Sequence, residues 1–242
     1  MARQRVPSGP PAAPAVQRVR LRYAKRGRLR FSSTRDFQRA LERALRRAAV
    51  PMAFSNGFHP HPRISYANAA PTGTASEAEY VEIALVERVD VEALRLALDE
   101  ALPVGLDLVQ AAEAGSVSLP DLLQASLWQI EFSDVGADEL TRARAEFLGR
   151  DVAEVTRLFK SGEKTLDARS PVVSMSVAGP AEGSCAILRM VVRHTTPAVR
   201  PDDILTALRT YASLEPGSAP LVTRLAQGPL TDAGLIDPLV SR

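Results

Sequence analysis

The segment Asn56-Gly57-Phe58-His59-Pro60-His61-Pro62-Arg63 places two of the chain's three histidines one residue apart. Imidazole is a common metal ligand and the side chain that titrates near neutrality, so the spacing raises both metal binding and acid-base chemistry. Prolines at 60 and 62 favour a polyproline II run of about three residues per turn, which would point His59 and His61 about 120° apart. Such a pair chelates poorly. The third histidine is the distant His194, and the single cysteine, Cys185, cannot supply a zinc cage. The expectation is therefore no metal and no cofactor in this chain. Phe58, His59, Pro60, His61 and Pro62 are expected to form a stiff loop that meets a partner or ligand. Acid-base cleavage of RNA would need a positioned His, Tyr or Lys near the scissile phosphate. His61 is the foremost catalytic candidate, with His59 and Lys25 beside it, and sequence shows no pairing among them. The chain has no G-x-x-x-x-G-K-S/T phosphate loop, G-x-G-x-x-G turn, G-x-S-x-G elbow or three-cysteine cluster, so the usual nucleotide, hydrolase and iron-sulfur chemistries lack their parts. Cys185 falls in an alternating run and reads as a small buried residue.

A second chemistry is carried by charge. The whole chain of 242 residues has a formal net charge of +2. Between Arg18 and Arg47, however, twelve Lys/Arg stand against only Asp36 and Glu42, a local charge of +10 that leaves −8 for the remainder. Such a patch attracts polyanions, nucleic acid first among them. Arg20, Arg22, Arg39, Arg43, Arg46, Arg47 and Arg63 are the expected RNA-binding set. Aromatic residues are only 5% of the chain, and the first strand carries arginines where a base-stacking ring would sit. Backbone contact is thus favoured over base readout. The basic turn Lys160 to Lys164 reads as a solvated hairpin.

Several elements must position these residues. Residues 1–15, rich in Pro and Ala, read as a disordered tail. Val16 to Tyr23 alternates, with Val19, Leu21 and Tyr23 on one face and Arg18, Arg20 and Arg22 on the other, which predicts a strand. Ser33 and Asp36 have capping-box spacing, so a helix should begin near Thr34. Phe37, Leu41, Ala44, Leu45 and Ala48 make its apolar stripe, the arginines its opposite face, and Val50-Pro51 its end. Short strands are expected at Ile64 to Ala67, Tyr80 to Val86 and Leu106 to Ala111, with a helix from Val91 to Leu102. That β-α-β-β-α-β order predicts a ferredoxin-like domain over 16–111. A linker is expected at 112–126. A second domain over 127–227 repeats the order in decorated form, with strands at Leu127–Phe132, Val155–Phe159, Val172–Val177, Ala186–Val192 and Leu221–Leu225 and helices at Ala137–Leu148 and Asp202–Ala212. Residues 228–242 read as a flexible tail. The fold class expected is α+β, two tandem ferredoxin-like domains with antiparallel sheets. No apolar run is long enough for a membrane span, no secretory h-region is visible, and the lone cysteine fits a reducing compartment, so a cytoplasmic protein without a membrane partner is expected.

The run from Arg18 to Ile83, with the helix RALERALRRA, the loop GFHPHP and the strand entry SEAEYVEI, resembles the bacterial radical SAM-linked protein family, a domain of unknown function. The resemblance continues more weakly through KSGEKTLDAR and VTRLAQG. Members of that family are typically encoded beside or fused behind a radical SAM protein, with an RNase E/G-type ribonuclease and ribosomal proteins among neighbouring genes. The resemblance implies a radical SAM enzyme as partner and RNA or ribosome-associated RNA as target. Asp36, Pro60, His61 and Pro62 match the family pattern. Thr34 departs from it, because the family usually has a histidine just before the first helix. That departure weakens an enzyme reading and leaves binding untouched. Three functions remain open: a non-catalytic RNA-binding accessory protein acting with a radical SAM enzyme in RNA modification or maturation, a metal-independent RNA endonuclease of the tandem ferredoxin-like type, and a pure protein-protein module for the radical SAM partner.

Overall fold

In the computed structural model, which describes residues 12–179 and 185–240, alternating patterns become strands and 3.6-residue patterns become helices much where the sequence puts them. The chain divides into two compact units, Met1–Asp121 with Pro238–Arg242 and Leu122–Asp237. Both are α+β with antiparallel sheets.

Unit 1 contains β1 (Gln17–Lys25), a 3-10 turn (Gly27–Phe31), α1 (Thr34–Arg47), β2 (Ile64–Ala67), β3 (Ala75–Leu85), α2 (Val91–Ala101) and β4 (Leu108–Glu113). β1 pairs with β3 on one side and β4 on the other, and β2 pairs with the far side of β3, giving the order β4-β1-β3-β2. β1 turns Val19, Leu21 and Tyr23 into a core shared with Phe37, Leu41 and Leu45 of α1 and Leu94 and Leu98 of α2. The Tyr23 and Phe37 rings stack with centroids 3.7 Å apart, and Tyr66 meets Phe37 edge-on at 6.2 Å. Full burial of each such large side chain is worth about 1.5–3 kcal/mol. Ser33 and Asp36 form the capping box that starts α1. The helix ends earlier than Pro51 would require, with Ala48 as C-cap and Ala49 left-handed at φ 50°.

Unit 2 begins within α3 (Leu119–Leu122) and continues through β5 (Ala125–Glu131), α4 (Ala137–Leu148), β6 (Glu154–Phe159), β7 (Gly162–Asp167), β8 (Val172–Ala178), β9 (Ile187–Arg193), α5 (Pro201–Ala212) and β10 (Leu221–Gly228). Its sheet order is β10-β5-β9-β8, antiparallel throughout. Trp128, Ile130, Phe147, Leu188 and Leu208 pack in its core. The expected strand at Val155–Phe159 forms, but as half of a separate β6-β7 hairpin closed at Lys160-Ser161. That hairpin is tied to α5. Arg157 pairs with the buried Asp203 and donates to the Ala198 carbonyl at 2.8 Å, and the Tyr211 hydroxyl donates to the Glu154 carbonyl at 2.9 Å.

Three expectations are corrected. The stretch 112–126 is not a bare linker, since it holds the end of β4, α3 and the start of β5. The expected flexible tail 228–242 carries a small hairpin of β11 (Leu230–Thr231) and β12 (Gly234–Leu235), with 241–242 outside the described residues. Cys185 is exposed before β9 with φ 82°, not buried inside a strand. Of the expected tail 1–15, residues 1–11 lie outside the described residues, while the Ala12 amide donates to Asn56 Oδ1 at 2.9 Å.

Candidate functional site

The basic helix is built as its sequence demands. Phe37, Ala40, Leu41, Ala44 and Leu45 are buried against the sheet, which turns Arg35, Arg39, Arg43, Arg46 and Arg47 to the exposed side. Steps of four, four and three residues line Arg35, Arg39, Arg43 and Arg46 into one stripe. Among the described residues no ion pair engages these four. Arg47 donates to the Ala101 carbonyl at 3.2 Å, which fastens the end of α1 to that of α2. Arg35 was not in the expected binding set. Its place one turn before Arg39 was the signal that could have included it.

The strand arginines lie on the other side of the sheet. Cross-strand pairing sets Arg20 opposite Glu82 and Arg22 opposite Tyr80 and Gln110. Arg20 is only 4% exposed, donates to Glu82 Oε2 at 2.8 Å and also to the Val117 carbonyl. Its guanidinium is therefore committed inside the unit, and it does not offer phosphate the open contact expected of it. Arg22 is half-buried on the same face.

The histidine loop is the tip and returning arm of a hairpin. Met52 bridges to Leu85 and Phe54 to Pro62, the Ser55 amide donates to the His61 carbonyl at 2.8 Å, and the Arg63 amide donates to the Ala53 carbonyl at 2.8 Å. The His61 amide completes the ladder by donating to Ser55 Oγ at 3.0 Å. Gly57, with φ 138°, makes the turn. Phe58, His59 and Pro60 form its exposed tip, with Phe58 60% exposed. Among the described residues no side chain is hydrogen-bonded to either imidazole of this loop, and no group of three or more His, Cys, Asp or Glu could hold a metal. Lys25, the other candidate, is buried with its ammonium at 3.2 Å from the Pro71 carbonyl.

The returning arm of this hairpin leads into β2 and brings Arg63 to the sheet face away from the helices. There a cleft of about 370 Å³ is lined by Arg18, Ser55, His61, Arg63, Ser65 and Glu82. A neighbouring cleft of about 590 Å³ shares Arg18 and Arg63 and reaches Arg88. Arg88 is paired with Glu113 at 3.1 Å.

The sequence comparison covers most of this architecture. A family model described as an uncharacterized protein conserved in bacteria, DUF2344, matches residues 18–201, from the first strand arginine to the start of α5. The chain belongs to the DUF2344 family. The matched span contains the α1 stripe, the hairpin and the residues that line the smaller cleft. No curated protein matches the chain. Among the described residues no helix is long and apolar enough to cross a membrane.

Proposed function

We propose that this DUF2344 protein is a cytoplasmic, non-catalytic accessory protein that binds structured RNA through unit 1 and acts with a radical SAM enzyme in RNA modification or maturation. One observation carries the binding half of that reading. Arg35, Arg39, Arg43 and Arg46 stand in an exposed line that no ion pair engages among the described residues. Asp36, three residues before Arg39, and Glu42, four before Arg46, are the only acidic residues of α1 and stand against five arginines, so the line keeps a net positive charge. Arginine forks spaced along a rigid rod suit a phosphate backbone, whose attraction is electrostatic and independent of sequence. The radical SAM partner rests on the family resemblance of the Arg18–Ile83 run.

The same proposal takes both units as ferredoxin-like. In each, a helix connects two strands between which a third, later strand is inserted, in the orders β4-β1-β3-β2 and β10-β5-β9-β8. The β6-β7 hairpin is then an insertion in the second.

The test is fluorescence anisotropy with a labelled structured RNA over a salt series. The parent should bind with affinity that falls steeply as salt rises. R39Q/R43Q/R46Q should weaken binding and flatten the log-log salt slope by about 0.9 for each phosphate contact removed. Affinity that ignores salt, or an unchanged slope in the triple variant, overturns the proposal.

A further inference from the structure

We infer that the cleft on the helix-free face of unit 1 is a phosphate site, separate from the α1 stripe, that takes a phosphomonoester group. The site follows from strand register. Arg18 stands opposite Ala84 across the β1-β3 ladder, and the Ala84 amide donates to the Arg63 carbonyl at 3.0 Å on the other side. Two arginines thus flank a residue that has only a methyl group. With strands about 4.8 Å apart, their stems rise on either side of a floor that no long side chain fills. The next row runs Arg20, Glu82, Ser65. The cleft is closed at the remaining side by the hairpin, which contributes Ser55 and His61.

The charges in this cleft are held in place and unbalanced. Glu82 accepts from Arg20 at 2.8 Å and from Arg18 at 3.3 Å, so the buried Arg20 locks the carboxylate that in turn orients Arg18. Arg18 also donates to the Gly115 carbonyl at 3.2 Å. A guanidinium has five N–H donors, so these two bonds leave others directed outward. Of the cleft's lining residues Arg18 and Arg63 are cationic and Glu82 alone is acidic, and Glu82 is already engaged by the buried Arg20, so the surplus positive charge sits with Arg63, whose side chain has no ion-pair partner among the described residues. Ser65, two residues on from Arg63, and Ser55 of the hairpin also line the cleft and bring hydroxyl groups as neutral donors. Donors converging from both flanks and the hairpin suit three terminal oxygens and close to two negative charges, which a monoester has and a diester lacks. The cleft's volume lies at the low end of ligand pockets. A free phosphorylated metabolite and the phosphorylated end of a nucleic acid present the same group.

This inference does not depend on α1 binding RNA, and its test separates the two. Isothermal titration calorimetry on the full chain would use inorganic phosphate, adenosine 5′-monophosphate, and one RNA oligonucleotide made with a 5′-phosphate or a 5′-hydroxyl. Saturable phosphate binding is expected. R63Q should weaken it by about 10-fold or more, the worth of a charge-assisted hydrogen bond, and S65A by less. R39Q should leave phosphate binding unchanged. If the monophosphate alone gains affinity over inorganic phosphate, the source is a small molecule. If the 5′-phosphate oligonucleotide outbinds its hydroxyl twin, and still does so in R39Q, the source is a nucleic-acid end. Absence of saturable binding for every probe, or equal affinity in R63Q with circular dichroism unchanged, overturns the inference.

Discussion

His194 is held between two acceptor-capable oxygens, and those contacts decide its tautomer. Nδ1 lies 2.6 Å from the Leu123 carbonyl, which can only accept, so that nitrogen carries the proton. Nε2, 2.7 Å from the fully buried Ser126 hydroxyl, is then the acceptor in the neutral ring. Burial pushes the His194 pKa below the usual histidine value, the nearby Arg224 guanidinium adds to the depression, and the Leu123 carbonyl opposes it. The unfolded chain therefore takes up a proton before the folded one does. Stability is complete above the unfolded value of about 6.5 and is lost as the pH falls from there through the folded pKa. Urea denaturation followed through Trp128, the only tryptophan, should show unit 2 weakening from pH 7 to pH 5. H194Q should remove much of that dependence, and an unchanged profile in the variant would discard this account.

At the scale of elements, the cap of α1 and the ties of the β6-β7 hairpin carry separable energies. Ser33→Ala removes the bond that Ser33 Oγ accepts from the Asp36 amide and the one its hydroxyl donates to the Asp36 carboxylate, leaves the Ser33 amide donating to that carboxylate, and should cost about 1 kcal/mol in a chemical denaturation. Asp203→Ala leaves Arg157, 17% exposed, beside no carboxylate, and should cost about 3–5 kcal/mol. A cost for Asp203→Ala no larger than for Ser33→Ala would show that the hairpin is not anchored through that pair. The cap could be seen in the sequence because it depends on two residues three apart. The first five residues of β3 could not, because Ser76 and Glu79 are polar yet buried, their needs met by the Ala78 and Ala70 amides. Alternation marked which face Arg20 would take. Its burial depends on Glu82, sixty-two residues away, and no local pattern reveals that. The 52–63 hairpin was hidden for the same reason, since its ladder is made of backbone groups and any side chain could sit on them.

For the whole molecule, the net charge of +2 describes neither unit. Converting Arg35, Arg39, Arg43 and Arg46 to Gln removes four charges and takes +2 to −2; so does converting Arg142, Lys160, Lys164 and Arg209, all exposed in unit 2. RNA retention on a filter should collapse in the first variant and persist in the second. Equal losses would mean that total charge, rather than the α1 line, governs association. In the buried pair of Arg20 and Glu82, replacing Glu82 leaves Arg20, 4% exposed, without its carboxylate at about 3–5 kcal/mol, a large share of a domain's stability of about 5–15 kcal/mol, whereas replacing Arg20 leaves Glu82 its second partner Arg18. A change at Glu82 therefore reaches the surface as well as the core, because the same carboxylate orients Arg18.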